Sequence, residues 1–226
     1  MTEIKAFRRQ WNEGQKTLRR AFSSSESPDR AIELFLGQHR VLHSATIAPA
    51  GGWSYADAIF EGLDEDAVRR IPSKREHSVA WCVWHAARIE DVTMNLLVAG
   101  SEQILERGGW VQRLKVAARD TGNGMDVAAV NALSQAIDLT ELRAYRLAVG
   151  RRTREIVSKL QPAQLFERVK PERLERILAE GAVVRTERGL IDYWSRRTIA
   201  GLLLMPPTRH NMVHLNEAWQ LRRRAQ

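Results

Sequence analysis

The segment SVAWCVWHAARIED, residues 78–91, decides the fold. Trp81, Cys82, His85 and Ile89 recur three or four residues apart, and Val92 and Leu96 continue the pattern. Residues at that spacing share one face of an α-helix, so the run reads as a helix over about 74–98 with a buried apolar stripe. Pro72-Ser73 stand at its start, and Gly100 suits its C-terminal cap. His85 lies inside the stripe. A buried imidazole needs partners for its ring nitrogens, either a hydrogen-bonding neighbour or a metal ion.

Working outward, apolar residues keep the helical spacing nearly everywhere, and no alternating strand pattern stands out. Residues 2–22 place Ile4, Phe7, Trp11, Leu18 and Phe22 on one stripe before a serine-rich linker at 23–27. A helix with Pro28 in its first turn reads on to about 47, where Pro49-Ala50-Gly51-Gly52 end it. Short helical pieces follow at 55–63 and 64–71. Residues 101–137 are broken at Gly108-Gly109 and at Thr121-Gly122-Asn123-Gly124. Asp138 or Thr140 caps a helix to Leu160, and Pro162, Pro171 and Gly181 punctuate two short helices. A last apolar stretch from Trp194 breaks at Pro206-Pro207 and restarts at Thr208, a suitable N-cap for a helix to Arg224. The four long segments, 28–47, 74–98, 138–160 and 194–224, make an all-α protein with the helix count of a four-helix bundle. Residues 27–226 read as one domain, with 1–26 as an added helix and linker.

His210 and His214 are four residues apart on the final helix, so two imidazoles there can share one metal. Glu217, one turn on, can accept the second N–H of a metal-bound ring. Two histidines at that spacing also arise by chance. His85 from a second helix would complete a three-nitrogen site with open positions. His39 and His43 form a competing pair, read as pocket wall, outer support for a metal or ordinary bonded histidines. His77, among polar neighbours, reads as a surface residue. Cys82 reads as a small buried hydrophobe, with thiolate chemistry as the alternative. Trp53, Trp81, Trp84, Trp194 and Trp219 read as core packing or as a pocket wall. No phosphate-binding glycine loop, HExxH motif or serine triad stands out.

SVAWCVWHAARIED resembles the second helix of the DinB/YfiT-like family, an apolar-aromatic run leading to one histidine and an acidic pair. PPTRHNMVHLNEA, residues 206–218, resembles that family's last helix with its paired histidines and polar tail. The resemblance implies an antiparallel four-helix bundle, here with extra short helices in the connections. It also implies a divalent ion, zinc or nickel, held by His85, His210 and His214, and a homodimer. Family branches include transferases of low-molecular-weight thiols such as bacillithiol or mycothiol. The stretches 101–137 and 161–193 are longer than a minimal member needs, and 2–22 lies outside the usual core.

The chain has 226 residues, 44% hydrophobic, with 35 Lys and Arg against 27 Asp and Glu and a single cysteine. One cysteine excludes a disulfide framework and an all-cysteine zinc module. The excess of eight positive charges is spread in short arginine doublets, as on solvated helix faces. No apolar run reaches the ~20 residues of a membrane span, and residues 1–14 lack a signal-peptide core, so a cytoplasmic protein is expected. The reading is a metal-dependent enzyme, a thiol transferase or hydrolase acting on a small molecule. His85, His210 and His214 are its ligands, Glu217 or His43 orients a ligand or moves a proton, and Arg88 and Arg209, next to the ligands, read as contacts for a substrate carboxylate or as plain surface arginines. A metal-binding stress-response protein without activity is the alternative. A nucleic-acid-associated protein, using Arg8, Arg9, Arg19, Arg20 and Arg222 to Arg224, is the least favoured. Protons are expected to compete with the ion around the ordinary imidazole pKa of ~6.5.

Overall fold

The computed structural model describes residues 2–23, 28–49, 51–73 and 77–225. The chain runs through α1 (Thr2–Ser23), α2 (Pro28–Arg40), α3 (Tyr55–Phe60), α4 (Glu65–Arg69), α5 (Val79–Asp91) and α6 (Trp110–Leu114). It continues through α7 (Val127–Ala136), α8 (Leu139–Ser158), α9 (Pro171–Ala179), α10 (Arg188–Ser195), α11 (Ile199–Leu203) and α12 (Asn211–Ala225). A π-helical stretch, Val92–Ala99, extends α5, and another, Met205–His210, leads into α12. Among the described residues the one non-helical pairing is an isolated bridge between Arg168 and Thr198. The all-α expectation therefore holds.

The centre of the fold is α5. Every residue from Ser78 to Val98 is buried, the charged ones, Arg88, Glu90 and Asp91, each with hydrogen-bond partners. It packs against α8 and α12, while α2 lies on α8 and α1 on α2. The expected helix start at 74 falls on residues 74–76, outside the described set. The helix begins instead at Val79, because the Ser78 side chain accepts the Trp81 N–H at 2.9 Å and caps it. Gly100, with φ +67°, ends the π-helical extension as the left-handed C-cap the sequence suggested.

Two long segments are shorter than expected, for reasons the hydrogen bonds supply. The segment read as 28–47 stops at Arg40. The chain returning at Ser54 and Tyr55 takes the carbonyls of His43 (2.5 Å) and Val41 (2.8 Å), and Arg146 takes that of Leu42 (2.9 Å). Those acceptors are lost to further helical bonding. The segment read as 194–224 is split: Trp194 belongs to α10, and Thr198 caps α11. Thr208 is no N-cap. It is buried in the π-helical stretch, where its hydroxyl donates to Leu203 O at 2.9 Å. Pro206 and Pro207 lack the amide protons a regular helix needs. The Thr208 hydroxyl supplies one donor, and the Asn211 side chain donates to Pro206 O at 3.2 Å, so the helix widens instead of breaking. The serine linker, apart from Ser23, lies outside the described residues. No described helix is long and apolar enough to cross a membrane.

Candidate metal centre

The α5 helix delivers His85, and the π-helical stretch and first turn of α12 deliver His210 and His214. Their ring centroids are 5.0 Å (His85–His210), 4.6 Å (His85–His214) and 4.6 Å (His210–His214) apart. One nitrogen from each ring lies within 4.8 Å of the others. The outer partners fix which nitrogen faces inward. His85 Nδ1 sits 2.5 Å from Thr121 O. A carbonyl can only accept, so Nδ1 carries the proton and the Nε2 lone pair is free. His214 Nδ1 lies 3.2 Å from Glu217 Oε2. Burial alone would raise the Glu217 carboxyl, but hydrogen bonds from His214 and His77 outweigh it and hold the group ionised. His214 therefore also donates from Nδ1 and keeps Nε2 free. His210 Nδ1 is buried with no hydrogen-bond partner at all, an orphaned polar atom that a metal ion would satisfy. Burial, and the neighbouring His214, push His85 down to about 3; burial likewise lowers His210. The His85 and His210 rings are neutral and ligand-ready well below pH ~6.5, so proton competition at these two ligands lies at lower pH than free imidazole chemistry suggests.

Trp81 lies flat on His85, with centroids 4.6 Å apart and 10° between planes, and meets His214 in a T-shaped arrangement at 5.9 Å and 70°. On its other side His77 stacks at 3.8 Å and 9°. His77 is thus no surface residue: it is two-thirds buried, and its Nδ1 donates to Glu217 Oε1 at 2.6 Å. The i, i+4 ladder His77–Trp81–His85 was present in the sequence as a signal for this stack.

The loop 119–122 is fastened to α5 from both ends of one turn. Arg88 donates to Arg119 O (2.5 Å) and Asp120 O (3.4 Å), and His85 grips Thr121 O. Arg88 is fully buried and also bonds Asp91, Tyr145 and Gln103, so it has no donor left for a substrate. Gly122 follows with φ +80°, and a Cβ there would stand 2.5 Å from Trp84 Cζ3. Gly122→Ala is therefore expected to displace the Thr121 carbonyl and weaken metal binding about 10–100-fold, the usual cost of losing an outer partner. Metal titration by calorimetry checks this; unchanged affinity would mean that Thr121 does not orient His85.

His43 belongs to a separate cluster. His39 and His43 donate from Nε2 to the two oxygens of Glu90 at 2.9 and 3.0 Å, and Asn211 Nδ2 adds a third donor at 2.7 Å. His39, His43 and Glu90 are wholly buried. This trio, too, has metal-ligand chemistry and spacing. The Nε2 atom of each ring already faces the carboxylate, and buried Arg146, bonded to Asn211 Oδ1 at 2.9 Å, supplies the positive charge nearby. Glu90, five positions past His85 in the quoted segment, is the buried carboxylate that sequence reading missed. Burial pushes His43 down to about 3, against the pull of Glu90; burial would raise Glu90, but the two imidazoles outweigh it. Both shifts act alike. Unfolded His43 takes a proton at ~6.5 and the folded ring only near 3, so this stability is whole above pH ~6.5 and falls as pH drops toward 3. Ionised Glu90 adds a loss as pH falls below the ordinary carboxylate range. Urea midpoints of the metal-free protein should be lower at pH 5 than at pH 7.5; equal midpoints would contradict the buried network.

A sequence model of the DinB superfamily matches residues 50–218, more than half of the chain and all three converging histidines. The chain belongs to the DinB superfamily. No curated protein matches it. The DinB match begins after His39 and His43 and leaves out α1, both of which lie outside the matched segment.

Proposed function

We propose that this DinB protein is a metal-dependent thiol transferase, joining a low-molecular-weight thiol to an electrophilic carbon of a small molecule. The observation that carries the reading is a three-imidazole cluster with no fourth protein donor in its group among the described residues. Closed structural sites have four protein ligands; three leave room for a reactant. His85, His210 and His214 would hold a divalent ion, zinc or nickel, which would supply Lewis-acid chemistry that makes a thiol easier to deprotonate.

The chain's own residues do the rest. Thr121 O and Glu217 hold the His85 and His214 rings with Nε2 inward. Trp81 locks the His85 plane and keeps water from its face. The thiol would give its proton to water, its sulfur would form the new bond to carbon, and the leaving group would depart with the bonding pair. Arg209, beside His210, is exposed and lines a groove of about 990 Å³ with Arg9, Arg19 and Arg197. None of the three histidines lines that groove, so of its basic residues only Arg209 is placed next to a ligand.

The test is loss of free thiol from cysteine, glutathione, bacillithiol or mycothiol with 1-chloro-2,4-dinitrobenzene, using protein loaded with zinc or nickel. Turnover should require both metal and thiol and vanish in His210→Ala. Ester hydrolysis without thiol would assign hydrolysis instead, and inertness towards every pair would favour a metal-binding protein without activity.

A further inference from the structure

A second cluster of metal-ligating side chains lies along the same seam between α5 and α12. His77, just before the Ser78 cap, Cys82 on α5 and Glu217 on α12 each offer one ligand atom, and these atoms lie within 4.8 Å of one another. Glu217 stands three residues beyond His214 and Cys82 three residues before His85, so this cluster sits one helical turn from the three imidazoles. We propose that His77, Cys82 and Glu217 form a second divalent-metal site, taking a thiophilic ion of the zinc type.

The donor set is nitrogen, sulfur and carboxylate oxygen, which suits zinc and cobalt and disfavours magnesium and calcium. Thiolate and carboxylate together neutralise a divalent charge, whereas the three neutral imidazoles do not. Access and rigidity differ within the cluster in a useful way. Cys82 is buried, and burial together with the neighbouring Glu217 carboxylate pushes its thiol well up, so without an ion it is a thiol and the metal must displace its proton; the His77 and Glu217 side chains are 33% and 31% exposed and open a route for the ion. Trp81 clamps the His77 ring from one side. Glu217 can serve both sites because its oxygens are already divided: Oε1 faces His77 at 2.6 Å and Oε2 faces His214 at 3.2 Å. An ion with bonds of about 2.0–2.3 Å spaces its ligand atoms wider than a hydrogen bond, so the His77–Glu217 pair opens by less than about an ångström. On binding, the Cys82 proton leaves to water and the His77 proton moves from Nδ1 to Nε2, freeing the Nδ1 lone pair. Water or another small ligand takes the fourth position.

The His39–His43–Glu90 trio lacks these features. It is closed to solvent, it has no thiol, and the Nε2 atoms that face its carboxylate are already bonded to it, although His39 Nδ1 and His43 Nδ1 have no partner.

The chain has one cysteine, so any thiolate-to-cobalt absorption reports on Cys82. The experiment is titration of the metal-free full-length protein with Co²⁺, followed by near-ultraviolet and visible spectra and by elemental analysis after zinc loading. The expected result is two ions per chain and a near-ultraviolet thiolate band. Cys82→Ser should lose the band and one ion while keeping the visible bands of the three-imidazole site. His77→Ala, away from the buried core, should lose the second ion too, with helical circular dichroism unchanged. His85→Ala should keep the thiolate band. A single ion per chain would overturn the proposal. So would a thiolate band lost in His85→Ala, since Cys82 would then be a fourth ligand of the first site.

Discussion

Replacing His85 with alanine is expected to lower metal affinity by about 100-fold or more and to remove most of the metal-induced rise in melting temperature. Loss of an outer partner alone costs about 10–100-fold, and a direct ligand contributes more. The remaining pair, His210 and His214, lies on one helix and holds an ion from one side only. A ligand that binds only the folded state stabilises it by about 2.7 kcal/mol at a hundred times its dissociation constant, which shifts the melting temperature of a chain this size by several degrees. The wild-type protein should show that shift with zinc or nickel at pH 7.5. Arg222→Ala, at the far end of α12, should show it in full. Differential scanning calorimetry of the three proteins at matched metal concentration decides the point. Equal shifts in wild type and His85→Ala would place the ion elsewhere, with the buried trio of His39, His43 and Glu90 the next place to look.

The largest stability effect is expected from Arg88→Met. Arg88 and Asp91 are both wholly buried and bonded at 2.9 Å, with Tyr145 OH between them at 2.8 Å from the guanidinium and 2.6 Å from the carboxylate. Asp91 also accepts the backbone N–H groups of Ile104 and Leu105 at 2.8 and 2.9 Å, which fixes the chain after the central helix. Methionine fills much of the arginine volume but leaves Asp91 charged and unpaired, at a cost of about 3–5 kcal/mol. It also frees the carbonyls of Arg119 and Asp120, so the loop that carries Thr121 loosens and metal affinity falls as well. Asp91→Asn in the same chain removes the stranded charge and should recover part of the stability. Urea unfolding measures all three. A loss under about 1 kcal/mol for Arg88→Met would show that the carboxylate is satisfied by its other donors.

The histidines and their helices were legible because helical spacing is a short-range property. His85 on an apolar stripe and His210 and His214 four apart each declare a face, and the structure turns those faces toward one point. The i, i+4 ladder of His77, Trp81 and His85 was equally local, but the polar residues around His77 masked it. Glu90 was not legible in the same way. Its partners, His39 and His43, come from a chain segment about fifty residues earlier, and nothing near Glu90 names them. Arg88 was read as a substrate contact because a charged residue beside a ligand suggests a surface; its burial depends on Asp91, Tyr145 and the loop 119–121 closing around it. The helix boundaries at Arg40 and Pro206 failed for a related reason. Tertiary hydrogen bonds from Ser54, Tyr55 and Arg146 stop one helix early, and the side chains of Thr208 and Asn211 carry another past two prolines.

Anomalous diffraction at the zinc edge, on crystals of the full chain grown with zinc, tests the central claim most directly. The account predicts a peak about 2.0–2.2 Å from one nitrogen each of His85, His210 and His214. The nitrogens on His85 and His214 should be Nε2, with Nδ1 still bonded to Thr121 O and Glu217. A peak on His39, His43 and Glu90 instead, or no peak within bonding distance of His85, would contradict it.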